Sequence, residues 1–471
     1  MSKLLVRSEK WRVGLSLEQR VFARRTTTEY RAYCRALMGV VMTHWPQIAA
    51  AKSQSSVVEA LTHRTKRNPD PKYAYFSRRF HKFPSYLRRA AIRFVIGQVS
   101  SYLSRYDAWQ AGERRFPEER PPRLEANGGA NPCLYRGQMM KWGAGYASVE
   151  VKLFDGREWL WHTAPIKRRG RRDPNLSKLL NPTLLAMGKK VWLSVPHQLE
   201  KPSSPRWEDP TADKALGVDL GINKSASMAV VDRVGTVTHR GFIHPGADMD
   251  QRDKLLDAIR KKASLTGKLS EGFCKNLYRK AVALNTEIAR KAARGILDAA
   301  IHYGVRVIVF ERLKGFRPVG GRYRSSLRKR FHTWLHRLVH RIVTQQAEEL
   351  GIRVVTVSPW GTSKYAFDGS GRVQRDSQNA ALARFSTGKC YDADLNAAYN
   401  IAAKHHYYRY WRYVLQLEKS PNFGGQGNRD EARPGRSSGR APRTPVTLST
   451  LWRLAEGMAE GEAPPTLAKA S

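Results

Sequence analysis

Three carboxylates stand at positions where a carboxylate needs a reason to be. Asp219 interrupts an apolar run, with Gly217-Val218 before it and Leu220-Gly221-Ile222-Asn223 after it. A lone buried carboxylate is costly there, so it calls for a partner charge or a metal ion. Glu311 ends the run Val305–Phe310, in Val309-Phe310-Glu311-Arg312-Leu313-Lys314-Gly315, and Asp394 opens a helical stretch in Asp392-Ala393-Asp394-Leu395-Asn396-Ala397-Ala398. If the three meet, they cannot all stay ionised without cations, and hard oxygen donors select Mg²⁺ or Mn²⁺. A pair of such ions can activate a water and stabilise the leaving 3′ oxygen of a phosphodiester. Each acid also has a plain structural reading. Asp392 or Asp394 could be a helix N-cap, Glu311 an exposed residue just past a strand, and Asp-Leu-Gly a turn.

The surrounding pattern supplies elements that would bring the acids together. Ala215–Leu220, Ala226–Val231 and a run near Thr236–His239 read as successive strands, followed by a long helical stretch to His302 that Gly304 stops. Val305–Phe310 reads as a buried strand. Phe331, Trp334, Leu335, Leu338, Val339, Ile342 and Val343 then form one apolar helical stripe, before a strand at Ile352–Val357 and a helix at Asp394–Ala403. Three strands, a helix, a strand, a helix, a strand and a helix is the order of an RNase H-like α/β fold. Its first and fourth strands are neighbours, and its closing helix packs beside them.

Upstream, Ser16-Leu17-Glu18-Gln19 fits a capping box opening a helical region that runs to about residue 112. Pro84-Ser85 opens a later helix, with Tyr86, Leu87, Ala90, Ala91, Phe94 and Val95 at helical spacing and Arg88, Arg89 and Arg93 on its other positions. After a Pro-, Gly- and Arg-rich stretch the period changes to that of strands. Tyr146–Phe154 and Glu158–Thr163 flank Asp155-Gly156, a hairpin signal, and Val191–Val195 reads as a further strand. The expectation is a β-domain that takes in the N-terminal strand, with the helices as an insertion.

The chain of 471 residues has 83 Lys and Arg against 40 Asp and Glu, a formal charge of +43. Such an excess opposes compaction unless a polyanion offsets it, and nucleic acid is the foremost candidate. No run of about 18 apolar residues or signal-peptide core is visible, which points to a soluble, cytoplasmic protein with no membrane partner. The four cysteines, Cys34, Cys133, Cys274 and Cys390, lie too far apart for a disulfide framework or a complete zinc-ligand set.

Gly-Val-Asp-Leu-Gly-Ile-Asn at 217–223, Val-Phe-Glu-Arg-Leu-Lys-Gly at 309–315 and Asp-Ala-Asp-Leu-Asn-Ala-Ala-Tyr-Asn-Ile at 392–401 resemble the three RuvC motifs of TnpB-type RNA-guided nucleases, from which the compact type V CRISPR effectors derive. The resemblance is strongest over 215–403. It implies a multidomain α+β protein: a wedge-like β-barrel (1–15 and 130–210), an inserted helical recognition domain and linker (16–129) and a RuvC-like nuclease domain (211–360 and 391–419). It also implies a degenerate zinc-ribbon insert (361–390); the tail (420–471), rich in Gly, Pro, Ser and Arg, is expected to be disordered, with a short helix possible around Leu448–Met458. It makes Asp219, Glu311 and Asp394 the catalytic, metal-binding triad, with Mg²⁺ or Mn²⁺ and a guide RNA as cofactors. The ribbon departs from the family pattern. Ala366 and Gly369 stand at its first cysteine pair and Thr387 opposite Cys390 at its second, so no structural zinc is expected.

Nucleic-acid contacts are expected from Arg88, Arg89, Arg93, Lys167, Arg168, Arg169, Arg171, Arg172, Arg322, Arg324, Lys329 and Arg330, although any of these groups could be a solvated face or loop. The expected partners are guide RNA and double- and single-stranded target DNA, with the protein acting as a monomer or a homodimer. RNA-guided endonuclease activity is the leading reading. An RNA-guided binder that does not cut, and a guide-independent transposon-associated DNA-binding protein, are its rivals.

Overall fold

The N-terminal strand β1 (Leu4–Val13) alternates outward and inward side chains, so that Leu5, Glu9, Trp11 and Val13 are buried. In this computed structural model the described residues are 4–66, 68–113, 120–124, 129–204, 213–221, 224–267, 270–313, 335–376, 379, 381–418 and 445–459. They form two compact units that divide between Glu200 and Lys201.

In the first unit β1 leads into α1 (Leu17–Thr43), α2 (Trp45–Ala50), α3 (Gln54–Thr62), α4 (Tyr75–Arg79) and α5 (Ser85–Gln110). The capping box forms. Gln19 N–H donates to Ser16 Oγ at 3.2 Å, and Ser16 N–H donates to Gln19 Oε1 at 3.0 Å. α5 buries Leu87, Ala91, Val95 and Val99, one residue per turn. Tyr33 of α1 stacks on Phe83 at 4.4 Å between ring centroids.

Seven strands follow the helical insertion or frame it: β1, then β2 (Met140–Trp142), β3 (Ser148–Phe154), β4 (Trp159–Lys167), β5 (Lys178–Leu179), β6 (Thr183–Met187) and β7 (Lys190–Glu200). β1 runs antiparallel between β4 and β7, and its register with β7 extends from Leu4 opposite Glu200 to Val13 opposite Val191. The sheet runs β2-β3-β4-β1-β7-β5, with β6 also on β7. Its two ends do not pair among the described residues, so the expected barrel is a curled half-barrel. The Asp-Gly signal marks a hairpin whose loop is longer than a two-residue turn. Phe154 faces Trp159, and Asp155 Oδ1 accepts from the N–H groups of Arg157 and Glu158, each at 2.7 Å.

The second unit is built on β8 (Lys214–Asp219), β9 (Ala226–Asp232), β10 (Val237–Ile243), β11 (Val307–Glu311) and β12 (Arg353–Val357), in the order β10-β9-β8-β11-β12. β8, β11 and β12 are parallel, β9 is antiparallel to β8, and β10 is antiparallel to β9. The helical stretch expected to run unbroken to His302 is two helices, α6 (Gly246–Thr266) and α7 (Lys275–His302); Gly267 ends the first at φ 69°. α8 (His336–Glu349) contributes Val339, Val343 and Ala347 to the core on one face of the sheet, beside Ala292, Ala293 and Ile296 of α7. Phe331 and Trp334 of the expected stripe lie outside the described residues.

Where the decayed ribbon was expected, β13 (Gln374–Arg375), β14 (Leu382–Arg384) and β15 (Cys390–Asp392) form a three-stranded antiparallel sheet. Phe367 packs there at 5.5, 5.1 and 5.1 Å from Phe385, Tyr391 and Tyr399, with Ala366 buried in the same cluster. α9 (Ala393–Glu418) covers the face of the sheet opposite α7 and α8. The expected disordered tail contains a packed helix, α10 (Leu448–Ala459), whose Leu448 and Leu451 are buried in that second core. Two apolar side chains one turn apart explain the docking. No helix among the described residues is long and apolar enough to cross a membrane.

Candidate active site

β8 and β11 are parallel neighbours with Phe310 opposite Val218. One residue further along, Glu311 and Asp219 end adjacent strands at the same edge of the sheet. Ligand sites of open parallel sheets form beyond this carboxyl edge. The helix carrying Asp394 reaches the edge because β8 has a glycine beneath it. A Cβ on Gly217 would overlap the carbonyl oxygen of Ala398 and lie 2.9 Å from the Cβ of Ala402. Alanine would therefore force α9 off the sheet.

At the start of α9 the two acids divide their roles. Asp392 Oδ1 accepts from the N–H groups of Asp394 and Leu395 at 3.1 and 3.0 Å, capping the helix. Its Oδ2 accepts from Lys224 Nζ at 2.5 Å. The N-cap reading therefore belongs to Asp392, and Asp394 sits in the first turn.

Among the three candidate acids the electrostatic perturbation is greatest at Asp219. Burial pushes the Asp219 carboxyl well above the usual carboxylate range, and the charges of Glu311 and Asp394 push it further, with Arg375 opposing. Glu311 is raised by burial and held back by the Thr362 hydroxyl and the Lys404 ammonium. Asp394 is raised by burial and by Asp392, against Lys224 and Arg375. Among the described residues, no three His, Cys, Asp or Glu side chains are gathered closely enough to hold an ion as they stand. Two of the local acids are engaged elsewhere, Glu311 by the Thr362 hydroxyl and Asp392 by Lys224. The donor set nevertheless has the right chemistry for a hard divalent cation: oxygen only, half-buried, and self-repelling when ionised.

A polar stripe on α9 supports this edge. Asn396, Asn400 and Lys404 follow one another at four-residue steps and are 0%, 0% and 2% exposed. Asn396 accepts from Phe367 N–H at 2.8 Å and donates to Tyr365 O at 2.9 Å. Asn400 donates to the carbonyls of Thr362 and Tyr365, each at 2.9 Å, and accepts from Leu448 N–H at 3.3 Å. Lys404 donates to the carbonyls of Ser358, at 3.1 Å, and Trp360, and burial draws its pKa down to about 8. The sequence reading did not assign roles to these residues. Their signal was there, in three polar side chains at helical spacing within an alanine-rich helix.

The basic candidates separate by position. Lys167, Arg168, Arg169 and Arg171 are exposed, Lys167 as the last residue of β4 and not on the loop. Arg172 is half-buried: its Nη1 donates to Glu9 Oε1 at 3.1 Å. Glu9 also accepts from the Arg171 and Arg172 N–H groups at 3.0 and 3.2 Å, so this loop is shaped around a buried carboxylate. Arg88, with its side chain 14% exposed, and exposed Arg89 each lie 3.9 Å from Glu59, and Arg93 is exposed. Arg322, Arg324, Lys329 and Arg330 lie outside the described residues.

The strand order β10-β9-β8-β11-β12, with carboxylates at the carboxyl edge of β8 and β11, is RNase H-like. The Cas12f1-like, TNB domain family model matches residues 336–401, from α8 through the third motif, and the Aq_aa04 family model matches residues 7–155. The TnpB-like protein aq_aa05 of Aquifex aeolicus (strain VF5) is 34% identical over 157 residues, 32% of this chain and 51% of that protein. The chain thus spans about half the length of this relative. The structure of a Cas12f1-sgRNA-target DNA complex superposes with a TM-score of 0.52 at 13% identity, over 82% of each chain. The mini-RNA-guided endonuclease CRISPR-Cas_phi3 aligns at 11% identity over 86% of this chain and 92% of that one, with a TM-score of 0.46. The chain is thus similar in parts of its sequence to Cas12f1-like and TnpB-like proteins, and its fold is similar to that of the Cas12f1 structure.

Proposed function

We propose that the protein is an RNA-guided DNA endonuclease whose RuvC-like site is formed by Asp219, Glu311 and Asp394. One arrangement supports this reading: Asp219 and Glu311 end the adjacent parallel strands β8 and β11, and Asp394 lies in the first turn of the helix that packs closely on β8. Asp219, Glu311 and Asp394 would hold Mg²⁺ or Mn²⁺, which when bound supplies an activated water and charge to stabilise the leaving oxygen. No zinc is required by this reading, since an aromatic cluster fills the region of the ribbon.

The similar Cas12f1 structure is that of a complex with sgRNA and target DNA, which supports guide RNA and DNA as partners of this chain. Sequence recognition would then come from pairing between guide and target, with the protein reading a short flanking motif and the shape and charge of the heteroduplex. Arg88, Arg89, Arg93, Lys167, Arg168, Arg169, Arg171, Arg322, Arg324, Lys329 and Arg330 are the phosphate-facing candidates in this scheme. Arg172 acts first as the partner of Glu9 and shapes the loop that carries Arg168, Arg169 and Arg171.

The test is to express the protein with its native locus, sequence the RNA that co-purifies, and use it to program cleavage of a plasmid with a randomised flank in Mg²⁺. Cleavage that Asp219→Ala abolishes, while RNA binding persists, is the expected result. Tight programmed binding without a cut assigns the protein to the silent binders, and the absence of any discrete RNA overturns guided recognition.

A further inference from the structure

Glu311 is the last residue of its strand, and β11 does not fix where its carboxylate points. The hydroxyl of Thr362, a fully buried residue, does so by donating to Glu311 Oε1. Thr362 in turn lies in a segment held at several points from α9. The carbonyls of Ser358, Trp360, Thr362 and Tyr365 and the N–H of Phe367 all bond Asn396, Asn400 or Lys404. Five main-chain groups in ten residues leave this segment little freedom.

We propose that Thr362 is the positioning residue for Glu311, fixing one carboxylate oxygen so that the remaining acceptor sites face an incoming divalent cation; this rests on the nuclease reading above. The Thr362 hydroxyl also lies 2.9 Å from Pro359 O. It has one proton to give, and a charge-assisted bond to a carboxylate is about twice as strong as one to a neutral carbonyl. An ionised carboxylate has about four acceptor sites, so the hydroxyl occupies one and leaves the others. Partners of this kind orient metal-binding side chains, and their loss typically weakens metal affinity by about 10- to 100-fold.

Valine keeps the shape of Thr362 and loses the donor, whereas serine keeps the donor. The experiment titrates Mn²⁺ into the full chain with its co-purified RNA by calorimetry, counting only the binding that Asp219→Ala abolishes. Thr362→Val is expected to weaken this binding about 10- to 100-fold and to raise the Mg²⁺ concentration for half-maximal cleavage in parallel. Thr362→Ser should stay within about threefold of wild type. In a Glu311→Gln background the valine substitution should add nothing, because the oriented carboxylate is already gone.

Wild-type Mn²⁺ affinity in Thr362→Val, or an equal loss with and without Glu311→Gln, overturns the positioning role while the nuclease reading stands. A wild-type protein with no Asp219-dependent Mn²⁺ binding overturns both. Should the valine variant fold poorly, the serine variant and the Glu311→Gln pair decide: a serine variant as impaired as Glu311→Gln would overturn the proposal.

Discussion

Gly217 of β8 lies directly beneath the main chain of Ala398 on α9, with no space between them for a methyl group. This approach sets how closely the helix bearing Asp394 comes to the strand bearing Asp219. In Gly217→Ala the helix must shift, because the obstacle includes a backbone carbonyl that no rotamer change can move. A stability loss of about 1–3 kcal/mol is expected from such overpacking, read by urea denaturation. Cleavage should fall further than the stability loss alone accounts for.

Acid should weaken the second unit through His406. This residue is 4% exposed, its Nε2 lies 3.0 Å from Val231 O, and burial lowers its pKa from 6.5 to about 4. Between those two values the unfolded chain binds the proton and the folded one does not, so stability is present above pH 6.5 and declines as pH falls toward 4. The full difference is about 3 kcal/mol. His406→Gln, which can still donate to Val231, should flatten this part of the pH–stability curve; an unchanged slope would assign the acid sensitivity to other groups.

Glu9 offers a test in which shape and charge predict opposite signs. Replacing Arg168, Arg169 and Arg171 with Gln should weaken nucleic-acid binding and reduce its salt dependence by about 0.9 for each duplex phosphate no longer neutralised. Glu9→Ala removes a negative charge, so charge counting alone predicts tighter binding. If the loop must be held in shape to engage phosphates, affinity should instead fall, and filter binding at several salt concentrations separates the two.

Helix α10 should be an integral part of the second unit and not an appendage. Leu448 N–H bonds Asn400, Ser449 N–H bonds Phe367 O at 2.9 Å, and the Trp452 indole donates to Gly235 O at 3.1 Å. Leu451→Ala should cost about 2–5 kcal/mol. Truncation after residue 444 should lower cleavage as well as stability, since it removes one of the bonds that hold Asn400.

The sheet of the second unit was legible in the sequence because its central strands are buried on both faces. Ala215–Val218 and Val307–Phe310 read as unbroken apolar runs, and the acid ending each run marks the edge. The capping box at Ser16 was equally plain, being a local interaction within four residues. What escaped depends on interactions between residues distant in sequence. Nothing local marks Thr362, because its bond to Glu311 spans 51 residues. Asp392 also takes a bond on its other oxygen from Lys224, 168 residues away. The break at Gly267 was missed because a single glycine inside a polar helical stretch is weak evidence against a longer helix.

The pairing of Leu4–Val13 with Val191–Glu200 has a consequence for how the protein is born. A ribosome releases the first strand long before its principal partner exists, and the helices between them emerge in the meantime. β1 therefore waits as an unpaired edge bearing Leu5, Trp11 and Val13. Such an edge is open to mispairing with another chain for as long as synthesis of the insertion lasts. Early packing of α1 against the growing helical layer would shorten that exposure, a benefit of the insertion that the finished fold alone does not display.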